Sequence, residues 1–207
     1  MNLQLPVDDI WNKEIHPKHR NKIRIAENRS LKYAVDEKLE HLDSFMRIYN
    51  ERMEVLGADD FYFFNKPYYA ALKNKLKERS FLGIIYLGDK IISAAIFLNF
   101  GIYGHYHLAA SLENYLPYRP NNFLIYQTAL YLKEKGIKIF HLGGGLSGDQ
   151  KDDLYNFKKR FSKTEYDFYI GKIIFDQDIY SRICKKWENK FPDKRKRYEK
   201  ILLKYRY

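Results

Sequence analysis

Residues 103–145, YGHYHLAASLENYLPYRPNNFLIYQTALYLKEKGIKIFHLGGG, decide the fold. An aromatic and β-branched run, Tyr103 to Ala110, reads as a strand. A polar loop marked by prolines, Glu113 to Asn121, separates it from residues 122–135, which read as a helix ended by Gly136. Ile137 to Leu142 is short and apolar enough to be the next strand. Strand, helix, strand in this order requires a right-handed crossover, so the two strands lie side by side and parallel. In sheets of this kind ligands bind in the crevice past the carboxyl ends of the strands. Gly143, Gly144 and Gly145 fall there.

Upstream, SFLGIIYLGDKIISAAIFLNF (80–100) is punctuated by Gly88-Asp89, and glycines 101 and 104 follow it. With the Tyr103 run it forms three strands in an antiparallel meander. From Asp36 to Leu56, apolar residues recur every three or four positions and stop at Gly57, which marks an amphipathic helix. A second helix is expected from Lys66 to Glu78 with Pro67 in its first turn, a short strand at Leu31–Val35, and helical residues from 8 to 28 with a break near Pro17. Downstream, Gln150–Phe161 is expected to be helical, Glu165–Phe175 extended, and the tail helical. The expected class is α/β of the α+β type: a mixed sheet, antiparallel at its start and parallel in the middle, with helices on both faces. The expected division is a helical arm at 1–28, the main domain at 29–181 and a basic helical tail at 182–207.

The 207 residues suit one domain. No run of about 18 apolar residues is present, and the first 20 residues lack the apolar stretch of a secretion signal, so a cytoplasmic location is expected. Cys184 is the only cysteine, which excludes an internal disulfide. The formal charge of +11 is concentrated at one end: from Arg182 to Tyr207, eleven Lys/Arg stand against three carboxylates, a local balance of +8. Such a tail is either a patch for RNA or an anionic membrane surface, or a solvated terminal helix.

The glycine triplet is not a phosphate cradle. A Walker loop needs Gly-Lys-Ser/Thr leading into its helix, and the dinucleotide fingerprint needs GxGxxG near the first strand of its unit; neither occurs. Asp149, Asp152 and Asp153 would themselves satisfy the amides of the following helix and repel a phosphate. Two readings remain: a backbone that takes positive φ and admits a substrate or another chain closely, or a plain turn. Within the helix, Leu154, Phe157, Lys158 and Phe161 fall at i, i+3, i+4 and i+7, so Lys158 lies in the apolar stripe. A buried ammonium needs a partner or a task. In acyl transfer it can hold the tetrahedral oxyanion, a donor worth about 3 kcal/mol; the alternative is a lysine whose head reaches water. His105 and His107 share one face of a strand, and His141 ends its expected parallel neighbour. Without a carboxylate or cysteine at ligand spacing, no metal is expected. His107 or His141 beside the crevice can instead take a proton from an attacking amine.

The succession HRNKIRIAEN, FYFFNKPYYAAL, YHLAAS, NNFLIYQTALYLKEKGIKIFHLGGG, DDLYNFKKRFS and FYIGKIIFDQDIY resembles the C-terminal half of the Fem family. Those are GNAT-fold proteins that build peptidoglycan interpeptide bridges. The resemblance runs from about Arg20 to Trp187. It implies transfer of an aminoacyl group from charged tRNA, or of an acyl group from coenzyme A, onto an amine of a cell-envelope precursor, with no resident cofactor. By position it places Phe157-Lys158 on the family's Phe-Lys pair, whose lysine stabilises the transferring carbonyl, and Tyr106 on a substrate-contacting aromatic. Two departures matter. Bridge-forming enzymes carry two such domains, so either the first is missing here or a partner, a second copy or another chain, supplies it. Coenzyme-A users also place Q/R-x-x-G-x-G/A before the crossover helix, where this chain has Arg119-Pro-Asn-Asn122-Phe-Leu124. Side chains in the glycine positions weaken the coenzyme A reading and leave Arg119 and Asn122 as donor contacts. The alternative is an inactive module of the same fold, docking on RNA or an anionic membrane through its tail.

Overall fold

In the computed structural model, which describes residues 1–146, 149–169 and 171–207, the chain divides into two units, Met1–Glu165 and Tyr166–Tyr207. The first unit begins with a short helix α1 (Val7–Asp9) and a π-helical turn, Ile10–Glu14, followed by α2 (Pro17–Asn28). Pro17 begins α2 because a first-turn residue needs no N–H partner. His16 caps the helix, its Nδ1 accepting from the Lys18 amide at 3.1 Å. Residues 1–28 belong to the body of this unit: Leu3, Ile10, Ile15, Ile23 and Ala26 are all buried in its core.

After β1 (Lys32–Asp36), the helix expected from Asp36 begins only at Leu42, as α3 (Leu42–Val55). The Asp36 carboxylate accepts from the Lys38 and His41 amides and from His41 Nδ1, which holds residues 36–41 in a turn. α4 (Lys66–Ala71) is capped by Asn65, whose Oδ1 accepts from the Tyr68 amide. The helix expected to continue to Glu78 loosens instead into a π turn, Leu72–Leu76, and a 3-10 turn, Lys77–Arg79, with Lys77 at a φ of 47°.

β2 (Ser80–Leu87), β3 (Lys90–Phe100) and β4 (Tyr103–Ser111) form the meander. α5 (Pro120–Glu134) then crosses over to β5 (Ile139–His141). The strand order is β1-β2-β3-β4-β5, antiparallel throughout except for the parallel β4–β5 pair, where Tyr103, Gly104 and His105 face Ile139, Phe140 and His141. Asn2 bridges Ile139 on its other side, so β5 is paired along both edges. The two faces of the sheet carry separate cores. One gathers Phe81, Ile85, Ala95, Phe97 and Tyr106 under α5 and α2; the other gathers Leu82, Ile84, Ala94, Ile96 and Ala110 under α3 and α4. Each fully buried Leu, Ile or Phe contributes about 1.5–3 kcal/mol.

The unit closes with α6 (Asp153–Lys159). His19 of α2 ties α6 in place. It is fully buried, its Nε2 bonds the Phe157 carbonyl at 3.0 Å, and its ring packs on Phe157 and Phe161 at 5.2 and 4.5 Å. Burial pushes its pKa down to about 4; the Phe157 carbonyl opposes this, while Lys22, Arg160 and His16 add to it. Above pH 6.5 His19 is neutral both folded and unfolded. As pH falls from 6.5 towards 4, only the unfolded chain binds the proton, so stability is lost there, up to about 3 kcal/mol for this group. Denaturant titrations at pH 7 and pH 4 should show the wild type losing more stability than His19→Gln. Equal losses would remove His19 from the account.

The second unit contains α7 (Gln177–Lys190), started by the Asp176 carboxylate on the Ile179 amide, and α8 (Arg195–Tyr198). Trp187 Nε1 donates to the Tyr207 carbonyl and Tyr180 Oη to that of Leu202, which folds the tail back on α7. Cys184 is buried. The strand expected over Glu165–Phe175 is absent among the described residues, from which Ile170 is excluded; Tyr166, Phe168, Tyr169 and Phe175 are exposed. Among the described residues, no helix is long and apolar enough to cross a membrane.

Candidate active site

The parallel register ends where His105 faces His141. Beyond that pair β4 continues along β3 to Ser111, whereas the chain after His141 turns away through Gly143 at a φ of 78°. The two strands therefore part, and Lys158 of α6 sits at the parting. Its Nζ donates to the Gly144 carbonyl at 2.8 Å and lies 5.8 Å from the centre of the Tyr106 ring. The side chain is half-buried, and desolvation lowers its pKa, opposed by Asp152. The ammonium of this lysine is half in solvent and at the same time held on the main chain of the glycine loop.

The glycine triplet makes that approach possible. A Cβ on Gly143 would stand 3.2 Å from Lys158 Nζ, and one on Gly145 would stand 2.4 Å from Asp152 Oδ1. Asp152 caps α6, accepting from the Tyr155 amide at 2.9 Å, and its other oxygen accepts from the Leu146 amide at 2.8 Å. The carboxylate thus occupies the helix start where a phosphate would have sat, and it ties α6 to the glycine loop.

Three imidazoles lie on β4 and β5, two of them, His105 and His141, within electrostatic reach of Lys158. His105 Nδ1 and His141 Nδ1 share a hydrogen bond at 3.0 Å, and His107 Nε2 is bonded to Tyr68 Oη of α4 at 2.5 Å. Burial, followed by His141, His107 and Lys158, pushes His105 down to about 4. His107 is lowered by burial, and His141 by burial, the Met1 ammonium and Lys158. Lowered pKa values keep these rings neutral at pH 7 and able to accept a proton. His141 and His105 feel the Lys158 charge, whereas His107 is turned to Tyr68 on the face of the sheet opposite Tyr106 and is not brought to the lysine.

Tyr106 is buried and its Oη donates to Asn121 Oδ1 at 2.9 Å, linking β4 to the start of α5; burial raises its pKa. Phe157 turns towards the core, against His19 and Phe161. Arg119 caps α5 at a φ of 60°, and Asn122 and Leu124 are buried, so their side chains pack inwards; Asn122 Nδ2 has no partner among the described residues. Sequence reasoning did not foresee Tyr68, Asn121 or His19, each of which acts on a residue distant in the chain.

A further feature lies beside Arg119. Lys18 and Lys22 are one turn apart on α2, and the charges of Arg119, Arg160 and Lys18 all bear on Lys22, whose pKa is lowered first by burial and then by these cations. Arg29, at the end of the same helix, lies over the Tyr118 ring at 5.3 Å. None of these five side chains is in an ion pair among the described residues.

A mixed sheet, antiparallel until a crossover helix adds one parallel strand, is the architecture of GNAT acyltransferases. The acetyltransferase (GNAT) domain model matches residues 17–159, and the chain belongs to that family. Among solved structures it is similar to FemX, at 17% identity and a TM-score of 0.64, over 78% of this chain and 57% of that one. It is also similar to an aminoglycoside acetyltransferase from an uncultured soil metagenomic sample in complex with sisomicin, at 16% identity and a TM-score of 0.53, over 72% of this chain and 99% of that one. A conserved protein of unknown function from Bacteroides thetaiotaomicron matches at 14% identity and a TM-score of 0.54, over 75% and 52% of the two chains. The fold is Fem-like, and the chain spans just over half the length of the FemX chain. No curated protein matches the sequence.

Proposed function

We propose that the protein transfers an aminoacyl group from charged tRNA to a primary amine of a cell-envelope precursor, in the cytoplasm. The neutral amine attacks the ester carbonyl, the C–N bond forms, and the negative charge on the carbonyl oxygen is held by Lys158. His141 takes the amine proton and returns it to the ribose oxygen as the ester C–O bond breaks, so that the ribose leaves as a hydroxyl. The observation that carries this reading is the Lys158 ammonium fixed 2.8 Å from the Gly144 carbonyl where β4 and β5 part. The choice of donor is supported by the unpaired cations: from Lys18 to Arg29 they extend along about 16 Å of helix, more than one pyrophosphate needs and suited to several backbone phosphates. The inward packing of Asn122 and Leu124 leaves acyl-coenzyme A as the competing donor. A second copy or a partner chain would complete the acceptor site, and the +8 tail would add contacts to tRNA or to an anionic membrane surface carrying the precursor.

The test is a comparison of donors: labelled amino acid from charged tRNA against acetyl-coenzyme A, each with a peptidoglycan precursor carrying a free amine. Acetylation without aminoacyl transfer would replace the proposed donor. A second expectation concerns α2. Lys18→Glu with Lys22→Glu should raise KM for charged tRNA by about tenfold or more, leave kcat nearly unchanged, and flatten the salt dependence by about one unit of slope per lost contact. An unchanged salt slope would place the RNA elsewhere.

A further inference from the structure

At the other end of the sheet, where β2 and β5 begin, lies a cavity of about 800 Å³. Its size falls within the range of pockets that take small organic ligands. Its apolar wall is made by Phe81, Leu132 and Ile137, and its rim by charged residues of the β1–α3 turn and of the segment after α4. The charges are unequal. Glu37 is occupied, accepting from Lys135 Nζ at 2.9 Å and from Tyr131 Oη at 2.5 Å. Among the described residues, Lys73 bonds only the Leu39 carbonyl, at 3.2 Å. The ammoniums of Lys38 and Lys77 have no hydrogen bond or ion pair among the described residues, and Glu78 is the one lining carboxylate left to oppose them.

The backbone is strained at the same place. Two of the non-glycine residues with positive φ, Leu39 at 54° and Lys77 at 47°, border this cavity. Lys77 also has a ψ of −126°, a combination natural to glycine, and it joins a π turn to a 3-10 turn. A chain that keeps a side chain in such a conformation gains something from that side chain. Here it is a third cation on the rim of an apolar hollow.

We propose that this cavity is a second binding site, for a small amphipathic anion whose acidic headgroup lies on Lys38, Lys73 and Lys77 and whose apolar body lies on Phe81, Leu132 and Ile137. The site is separate from the parting of β4 and β5 and does not depend on the identity of the acyl donor.

The probe is 8-anilinonaphthalene-1-sulfonate, an aryl sulfonate with the required shape, titrated into the full chain by fluorescence, with decanoate as competitor and decyltrimethylammonium as the opposite-charge control. Saturable binding displaced by decanoate but not by the cation is expected, weakened about tenfold or more in Lys38→Glu/Lys77→Glu. Affinity unchanged by that double substitution, or equal displacement by the cation, overturns the proposal. Lys77→Gly gives an independent reading. It should raise the melting temperature by about 2–4 °C as strain is released, while weakening the probe. A variant no more stable than wild type, or one that binds equally well, overturns the link between strain and ligand.

Discussion

Lys158→Met should lower kcat for acyl transfer by about 10²–10³, with little change in KM for either substrate, because a donor aimed at the developing oxyanion contributes only when charge has developed. Methionine keeps the length and apolar stem of the side chain, so packing beside Tyr106 is preserved while the ammonium on the Gly144 carbonyl is removed. The pH profile gives a second signature. Desolvation holds the Lys158 pKa below that of a free lysine. The wild-type rate should therefore decline on the alkaline side as the ammonium loses its proton, at a pH below the usual lysine range, and this limb should be missing from the variant. A variant as fast as wild type, or one that keeps the alkaline limb, would return Lys158 to a packing role. Circular dichroism of both proteins should coincide, since the carbonyl left behind is on an exposed glycine that water can satisfy.

The crossover that sets this site was legible because its signals are local: Pro120 and Gly136 bound an apolar helix, and period-2 alternation put His105 and His107 on one face. Lys158 was legible for the same reason, since helical spacing alone set it in an apolar stripe. That spacing also put Phe157 and Phe161 in one stripe, and the structure has their rings in contact. Long-range capture by single side chains was not legible. Nothing near Asp36 announced that its carboxylate would take the His41 amide and delay α3, and nothing in KPYY showed Tyr68 reaching His107 on β4. The basic cluster was hidden differently. Its members come from positions 18, 22, 29, 119 and 160, so no charge run marked them, whereas the tail drew attention because its lysines and arginines are contiguous.

The glycine triplet left two readings open, and they make opposite predictions for neighbouring residues. In a plain turn, Gly144→Ala and Gly145→Ala would behave alike. In the structure they do not: a Cβ on Gly144 meets nothing within 4 Å, whereas one on Gly145 falls 2.4 Å from Asp152 Oδ1 and 2.5 Å from its Cγ. Asp152 cannot yield cheaply, because its two oxygens hold the Tyr155 amide at the start of α6 and the Leu146 amide in the loop. Gly145→Ala must expel that carboxylate, at a cost of about 1 kcal/mol for the lost cap, and a melting temperature lower by about 2–4 °C. The larger effect is on the reaction. Lys158 is carried by the helix that Asp152 anchors, and a displacement of about 1 Å at a catalytic group costs about 10² in rate. Gly144→Ala should stay within about twofold of wild type in rate, its side chain pointing into open space. The measurement is kcat for the two variants side by side with their melting curves. Equal kcat values would mean that Asp152 does not set the position of Lys158.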